Sequence, residues 1–117
     1  MQTQDHFHSS GYFVYRAPSV FDTDSAADVI DDLIESTKLS PYLAIDMGEV
    51  ELMTSAAVTA LLWAHRRTRM LNGQMVLVAL PRRAAAALAA NGATGVFACV
   101  PSLGDVAPRP GWQTQTA

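Results

Sequence analysis

Apolar residues recur in two rhythms along this chain, one that suits strands and one that suits helices. Tyr12-Phe13-Val14-Tyr15 is a short β-prone run, stopped by Ala17-Pro18. Thr23-Asp24-Ser25 then offers good helix-capping residues, and Val29, Ile30, Leu33 and Ile34 follow at helical spacing. The acids near that start suit the helix dipole, and the spacing predicts a helix over 24–38. Ser40-Pro41 breaks it, and Tyr42 to Met47 reads as a buried strand ending in a turn at Gly48. A second helix is predicted over 55–70. It begins near Thr54-Ser55, whose hydroxyls can accept its first free amide hydrogens, and ends at Asn72-Gly73, a pair that supplies a positive φ. Met75 to Leu80 is continuously apolar, as in a strand covered on both faces. Pro81 leads into an alanine-rich helix from Arg82 to Ala90, closed by Asn91-Gly92, and Val96 to Val100 forms the last strand.

Strands and helices therefore alternate as β-α-β-α-β-α-β, the order of an α/β fold with helices packed on a mixed or parallel sheet of about four to five strands. Strands 42–47 and 75–80 should be central. Right-handed crossovers leave few topologies. The domain is expected over 12–107, with 1–11 a flexible N-terminal segment and 108–117, which carries Pro108 and Pro110, a flexible tail.

Composition narrows the class further. At 117 residues and 12.6 kDa, half of them hydrophobic and 16% charged, the chain fits one folded domain and excludes disorder over most of its length. No apolar run approaches the roughly 18–20 residues that span a bilayer, and no secretory signal is expected at the start. One cysteine, Cys99, excludes an internal disulfide framework, so a reducing cytoplasm is the expected setting. Charge is lopsided. Residues 1–52 hold ten acids against Arg16 and Lys38, whereas 53–117 hold six arginines against Asp105. With a pI near 5.4 the chain suits no sequence-independent nucleic-acid binding. Arg66, Arg67 and Arg69 form a local basic cluster on what is expected to be a solvated helix face.

The residue types exclude several chemistries. Neither nucleotide-binding glycine fingerprint occurs, nor a G-x-S-x-G elbow. His6 and His8 lack a third metal ligand nearby and read as a tail pair. Cys99, in an apolar strand, is expected to be buried and inert, and His65 to pack on the apolar side of the second helix. No catalytic constellation, metal site or cofactor is expected, and the chain does not read as an enzyme.

Three stretches carry a family resemblance. They are Phe21 to Ala27, Leu43 to Met53, and Thr54 to Arg67. They resemble, in order, the L-D-x-x-x-A turn, the strand-and-loop v-v-l-D-l-s-x-V-x-f-i, and the segment D-S-S-G-L-G-x-L-x-x-x-x-R-R of STAS domains, the module of anti-sigma factor antagonists and sulfate-transporter tails. Gly73 to Val78, Val96-Phe97 and Pro101 to Leu103 also fit, so the likeness covers roughly 12–107. It implies a serine at the start of the second helix that a partner kinase phosphorylates. Free amides and the positive dipole end suit a phosphate there. This chain departs at that point. Thr54 stands for the aspartate, Ala56 for the serine usually modified and Ala57 for the glycine, while Ser55 keeps the first serine. Ser55 or Thr54 could take the phosphate instead, or both could only cap the helix. The family's first strand is expected to be short or lost, and Pro108 and Pro110 should stop its last helix.

The resemblance implies a protein-binding regulatory module of the anti-sigma factor antagonist kind, with an anti-sigma factor or serine-protein kinase as partner. Two other readings stay open: an accessory subunit of an ABC-type membrane transport complex, and a small-molecule or nucleotide sensor. A homodimer is compatible with the sequence. Docking is expected on the loop from Asp46 to Ser55 and one face of the second helix, with Asp22, Asp46, Thr54, Ser55, Ala56, Thr59, Trp63, Arg66 and Arg67 as the residues involved. Helix geometry adds to this. Ala57, Val58, Leu61, Ala64 and His65 share the core side, and Trp63 points the opposite way beside Thr59, Arg66, Arg67 and Met70. An exposed tryptophan among arginine and methionine has the composition of an interface hot spot.

Overall fold

The computed structural model describes residues 6–112. Seven strands and three helices follow one another as β1 (His6–Phe7), β2 (Phe13–Arg16), β3 (Val20–Phe21), α1 (Thr23–Leu39), β4 (Tyr42–Asp46), β5 (Leu52–Met53), α2 (Ser55–Met70), β6 (Gln74–Val78), α3 (Arg82–Ala90) and β7 (Ala98–Val100). The main sheet has the order β1-β2-β4-β6-β7, with β1 antiparallel to β2 and every other pairing parallel. This is an α/β fold with β4 and β6 at the centre. Strand order advances in one direction only, so right-handed crossovers put α1, α2 and α3 on the same face. The main core agrees. Phe13, Leu43, Ile45, Met75 and Leu77 from that face pack with Val29 and Leu33 of α1, Val58 and Leu61 of α2 and Leu88 of α3.

The sheet's other face has no α-helix among the described residues. Tyr12, Val14, Ala44, Val76 and Val78 are covered there by Val106, with Leu103 beside it, from a single 3-10 turn at Leu103–Asp105. Pro108 and Pro110 lie just beyond it, where proline prevents helix propagation. The following residues return along the sheet edge. The Arg109 amide donates to Ser10 O at 2.9 Å, its guanidinium lies 4.3 Å from the Tyr42 ring centroid, and Trp112 Nε1 donates to Ser9 O at 2.7 Å. Residues 6–11 and 108–112, expected to be flexible, thus carry structure: a two-residue strand and a packed strap. The family's first strand is short, as anticipated. His8, expected in a tail, is tied into the β1–β2 turn, where its Nδ1 lies 2.8 Å from Ser10 Oγ and 3.1 Å from the Ser10 amide.

Several boundaries moved for identifiable reasons. The α1 cap is Asp22, whose carboxylate accepts from the amides of Asp24 and Ser25 while Ser25 Oγ accepts from the Asp22 amide, a reciprocal box one residue before the expected cap. The last strand is only Ala98–Val100, and it is the sheet edge. Cys99 is therefore exposed, a correction to the buried thiol that the apolar run suggested. Asn72 takes φ +63° at the end of α2, as its pairing with Gly73 implied. Gly73 itself is required by contact, because a Cβ there would collide with the carbonyl of Pro41, to which Gln74 donates.

Candidate functional site

Of the docking residues expected from the sequence, Asp22, Asp46, Thr54, Ser55 and Ala56 lie where β-strands end and helices begin, and Thr59, Trp63, Arg66 and Arg67 lie farther along α2. Two short strands, β3 and β5, pair in parallel above the main sheet, Val20 beside Leu52 and Phe21 beside Met53. Phe21 and Met53 are buried, and the other pair, Val20 and Leu52, is 47% and 49% exposed. The Thr54 amide donates to Phe21 O at 3.1 Å, so the start of α2 is fastened to the start of α1. Arg83 of α3 reaches the same platform and donates to Glu51 O at 2.9 Å. The exposed Val20–Leu52 pair had no signal in the sequence, since β-runs of two residues carry no period.

At the N-terminus of α2 the two hydroxyls part company. Thr54 is the cap by backbone geometry, but its side chain makes no cap bond, and its Oγ1 is buried without a partner. Ser55 is exposed. Neither hydroxyl satisfies a first-turn amide, which corrects the capping role expected for them. Ala57 and Val58 donate to Thr54 O, while the amides of Ser55 and Ala56 have no acceptor among the described residues. No acid lies in this first turn. The result is an exposed helix start with positive dipole character and two free donors.

Asp22 and Asp46 are already engaged. Asp22 caps α1, and Asp46 accepts from the Gly48 amide at 2.9 Å and faces Arg16 at 3.7 Å. Both shape the platform's loops through these contacts. Arg16 also contacts Glu49 at 3.5 Å. A cleft of about 390 Å³ opens beside these residues, lined by Tyr15, Arg16, Ser25, Asp28, Asp32 and Glu49 among others. Tyr15 Oη donates to Asp32 at 2.9 Å. Three carboxylates around it disfavour nucleotide phosphates.

From Ser55 an exposed stripe runs the length of α2 through Thr59, Trp63, Arg66 and Met70. Trp63 is 37% exposed, and with Arg66, Arg67 and Met70 it lines a shallow hollow of about 160 Å³. Arg67 turns away from solvent, its Nε donating to Thr37 Oγ1 of α1 at 3.0 Å. On the opposite side of α2, His65 packs edge-on against Phe97 at 5.4 Å, and its Nδ1 is buried without a partner. Burial, and after it Arg69, holds this imidazole below its ordinary value. Partial burial likewise raises the Cys99 thiol, exposed though its residue is, and burial, followed by the neighbouring Tyr42, raises the Tyr12 phenol. Among the described residues no group of three or more His, Cys, Asp and Glu side chains could hold a metal ion, and no helix is long and apolar enough to cross a membrane.

Comparison with known proteins places this arrangement. The model of one family, the STAS domain, matches residues 2–106. No curated protein matches the chain. Among solved structures, a Thermotoga maritima protein described as a candidate anti-sigma factor antagonist superposes with a TM-score of 0.76 at 10% identity, over 86% of this chain and 87% of that one. An anti-sigma-factor antagonist (STAS) domain protein of Planctomyces limnophilus superposes with a TM-score of 0.70 at 16% identity, over 81% and 86%. At such identities these likenesses speak for the fold.

Proposed function

The chain belongs to the STAS domain family, and on that premise we propose that it is a regulatory protein-binding module of the anti-sigma factor antagonist kind. Its partner is an anti-sigma factor or the kinase that acts as one. Docking uses the β3–β5 platform and the exposed stripe of α2, and capture of the partner releases whatever that partner held. The observation that carries this reading is the continuous solvent-facing stripe from Ser55 to Met70, which ends in an aromatic and basic hollow around Trp63. Aromatic and arginine side chains supply most of the binding energy in such interfaces.

The usual phosphate switch is displaced or lost. Ala56 has no hydroxyl, and the Thr54 hydroxyl is buried. Ser55 is the remaining acceptor, exposed beside two free amides. A phosphate there would add about two negative charges to the docking face and expel an acidic partner. Affinity capture from the native host, followed by mass spectrometry of the bound proteins and of Ser55, tests both parts. Recovery of an anti-sigma factor or kinase that Trp63→Ala no longer retains supports the reading. Transport-complex subunits in its place would overturn it.

A further inference from the structure

The α1–α2 layer carries opposite charges on its two helices, and several of them have no ion-pair partner among the described residues. The outer side of α1 bears Asp24, Asp28, Asp31 and Glu35, all exposed, with Lys38 as its one cation. On α2 stand Arg66, Arg67 and Arg69, and that helix has no acid. Ion pairs among the described residues are Arg16 with Asp46, Arg16 with Glu49, and Lys38 with Glu35. Asp24, Asp28, Asp31, Arg66 and Arg69 therefore have no oppositely charged partner among them. Apolar surface lies between and beside the charges. Trp63 sits one turn before Arg67, which reaches α1, so Trp63 borders the groove opposite the half-buried Ile30 and Ile34. Met70 is 75% exposed at the end of the same stripe.

We propose that a second copy of this chain docks on the α1–α2 layer, each acidic α1 lying over the other copy's arginine-bearing α2. The topology makes this arrangement self-complementary. Both helices run antiparallel to the parallel strands, so they are parallel to each other, and the Arg67–Thr37 bond sets their ends level. A two-fold axis along the groove keeps that level and exchanges α1 with α2. Arg66 then meets the second copy's α1 beside Glu35 and within about a turn and a half of Asp31. An axis across the helices would set acid on acid and is repelled. The groove, with Trp63 at its border, falls on the axis as the apolar centre, with charge at the rim. Helices of 17 and 16 residues, about 25 Å long, form a face of about 500 Å² in flat projection and more with side-chain relief. Each partner in a stable complex buries about 800 Å². This dimer does not depend on partner capture, but it covers Trp63 and Arg66 and so competes with any partner for them.

Sedimentation equilibrium of the purified chain alone tests the proposal, run up to roughly 300 µM at low and at high salt. A dimer is expected at low salt, with a dissociation constant that rises about tenfold or more at high salt. Arg66→Glu and Glu35→Arg, both exposed changes, should each weaken it about tenfold or more without altering the thermal melt. The two together in one chain should restore it, because each copy then offers the swapped charges to the other. A chain that stays monomeric throughout overturns the proposal and leaves the face to a different protein. A dimer indifferent to both reversals, or not rescued by the swap, overturns it as well.

Discussion

Truncating Trp63 to alanine separates a docking side chain from a core one, and the structure gives the scale. A tryptophan can bury about 150–250 Å². With 37% of its surface free, Trp63 covers on the order of 150 Å². Alanine keeps about a third of that cover, so on the order of 100 Å² is lost, or about 2.5 kcal/mol at about 25 cal/mol per Å². Residual burial in the denatured chain lowers this to about 1.5–2.5 kcal/mol. Fully buried aromatics lose about 3–5 kcal/mol. The expected cost is thus intermediate, a fall in Tm of about 6–10 °C for a domain of this size. That is more than a freely exposed side chain would cost, because at 37% exposure most of the Trp63 surface is already covered. The same variant should bind a captured partner about thirtyfold more weakly, equivalent to about 2 kcal/mol. A urea or thermal melt and a binding titration of one sample suffice. Loss of more than about 4 kcal/mol of stability, or an unchanged titration, would refute the assignment of Trp63 to the docking face.

Three further outcomes follow from the geometry. Native mass spectrometry should find phosphate on Ser55 or on neither residue of the pair, since the Thr54 hydroxyl is buried; stoichiometric phosphothreonine at 54 would contradict this. His65 is held below its ordinary value of 6.5 by burial and then by Arg69, so the unfolded chain takes up a proton before the folded one does. Its contribution to stability is full above about pH 6.5 and is lost as pH falls toward the folded value. A urea midpoint that declines over that window in the parent and less in His65→Gln is expected, and equal slopes would discard the effect. Gly73→Ala should cost about 3 kcal/mol or more, because its Cβ meets the Pro41 backbone and not a movable side chain; a urea midpoint close to the parent's would discount that clash.

Local pattern was enough for the helices and the central strands. Ala57, Val58, Leu61 and Ala64 mark the buried side of α2 by period alone, and all four are buried. The opposite stripe, with Trp63 and Arg66, follows from the same period. Strand order, by contrast, is set by pairings between distant segments, and β1, β3 and β5 are two residues each, too short for any rhythm. Cys99 looked buried because its run is apolar, but burial depends on having a neighbouring strand, and β7 is the edge.

At the site itself, the sequence alone determined which hydroxyls exist: Ala56 can accept no phosphate, and Ser55 and Thr54 can. Only the tertiary structure decided which of those two hydroxyls faces solvent. The β3–β5 pairing holds the Thr54 backbone against Phe21 O, where its hydroxyl is buried and Ser55 is left in solvent. Likewise the acids of α1 and the arginines of α2 are plain in the sequence, more than thirty residues apart. Their placement side by side on one face is a consequence of unidirectional strand order and right-handed crossover, which no local segment encodes.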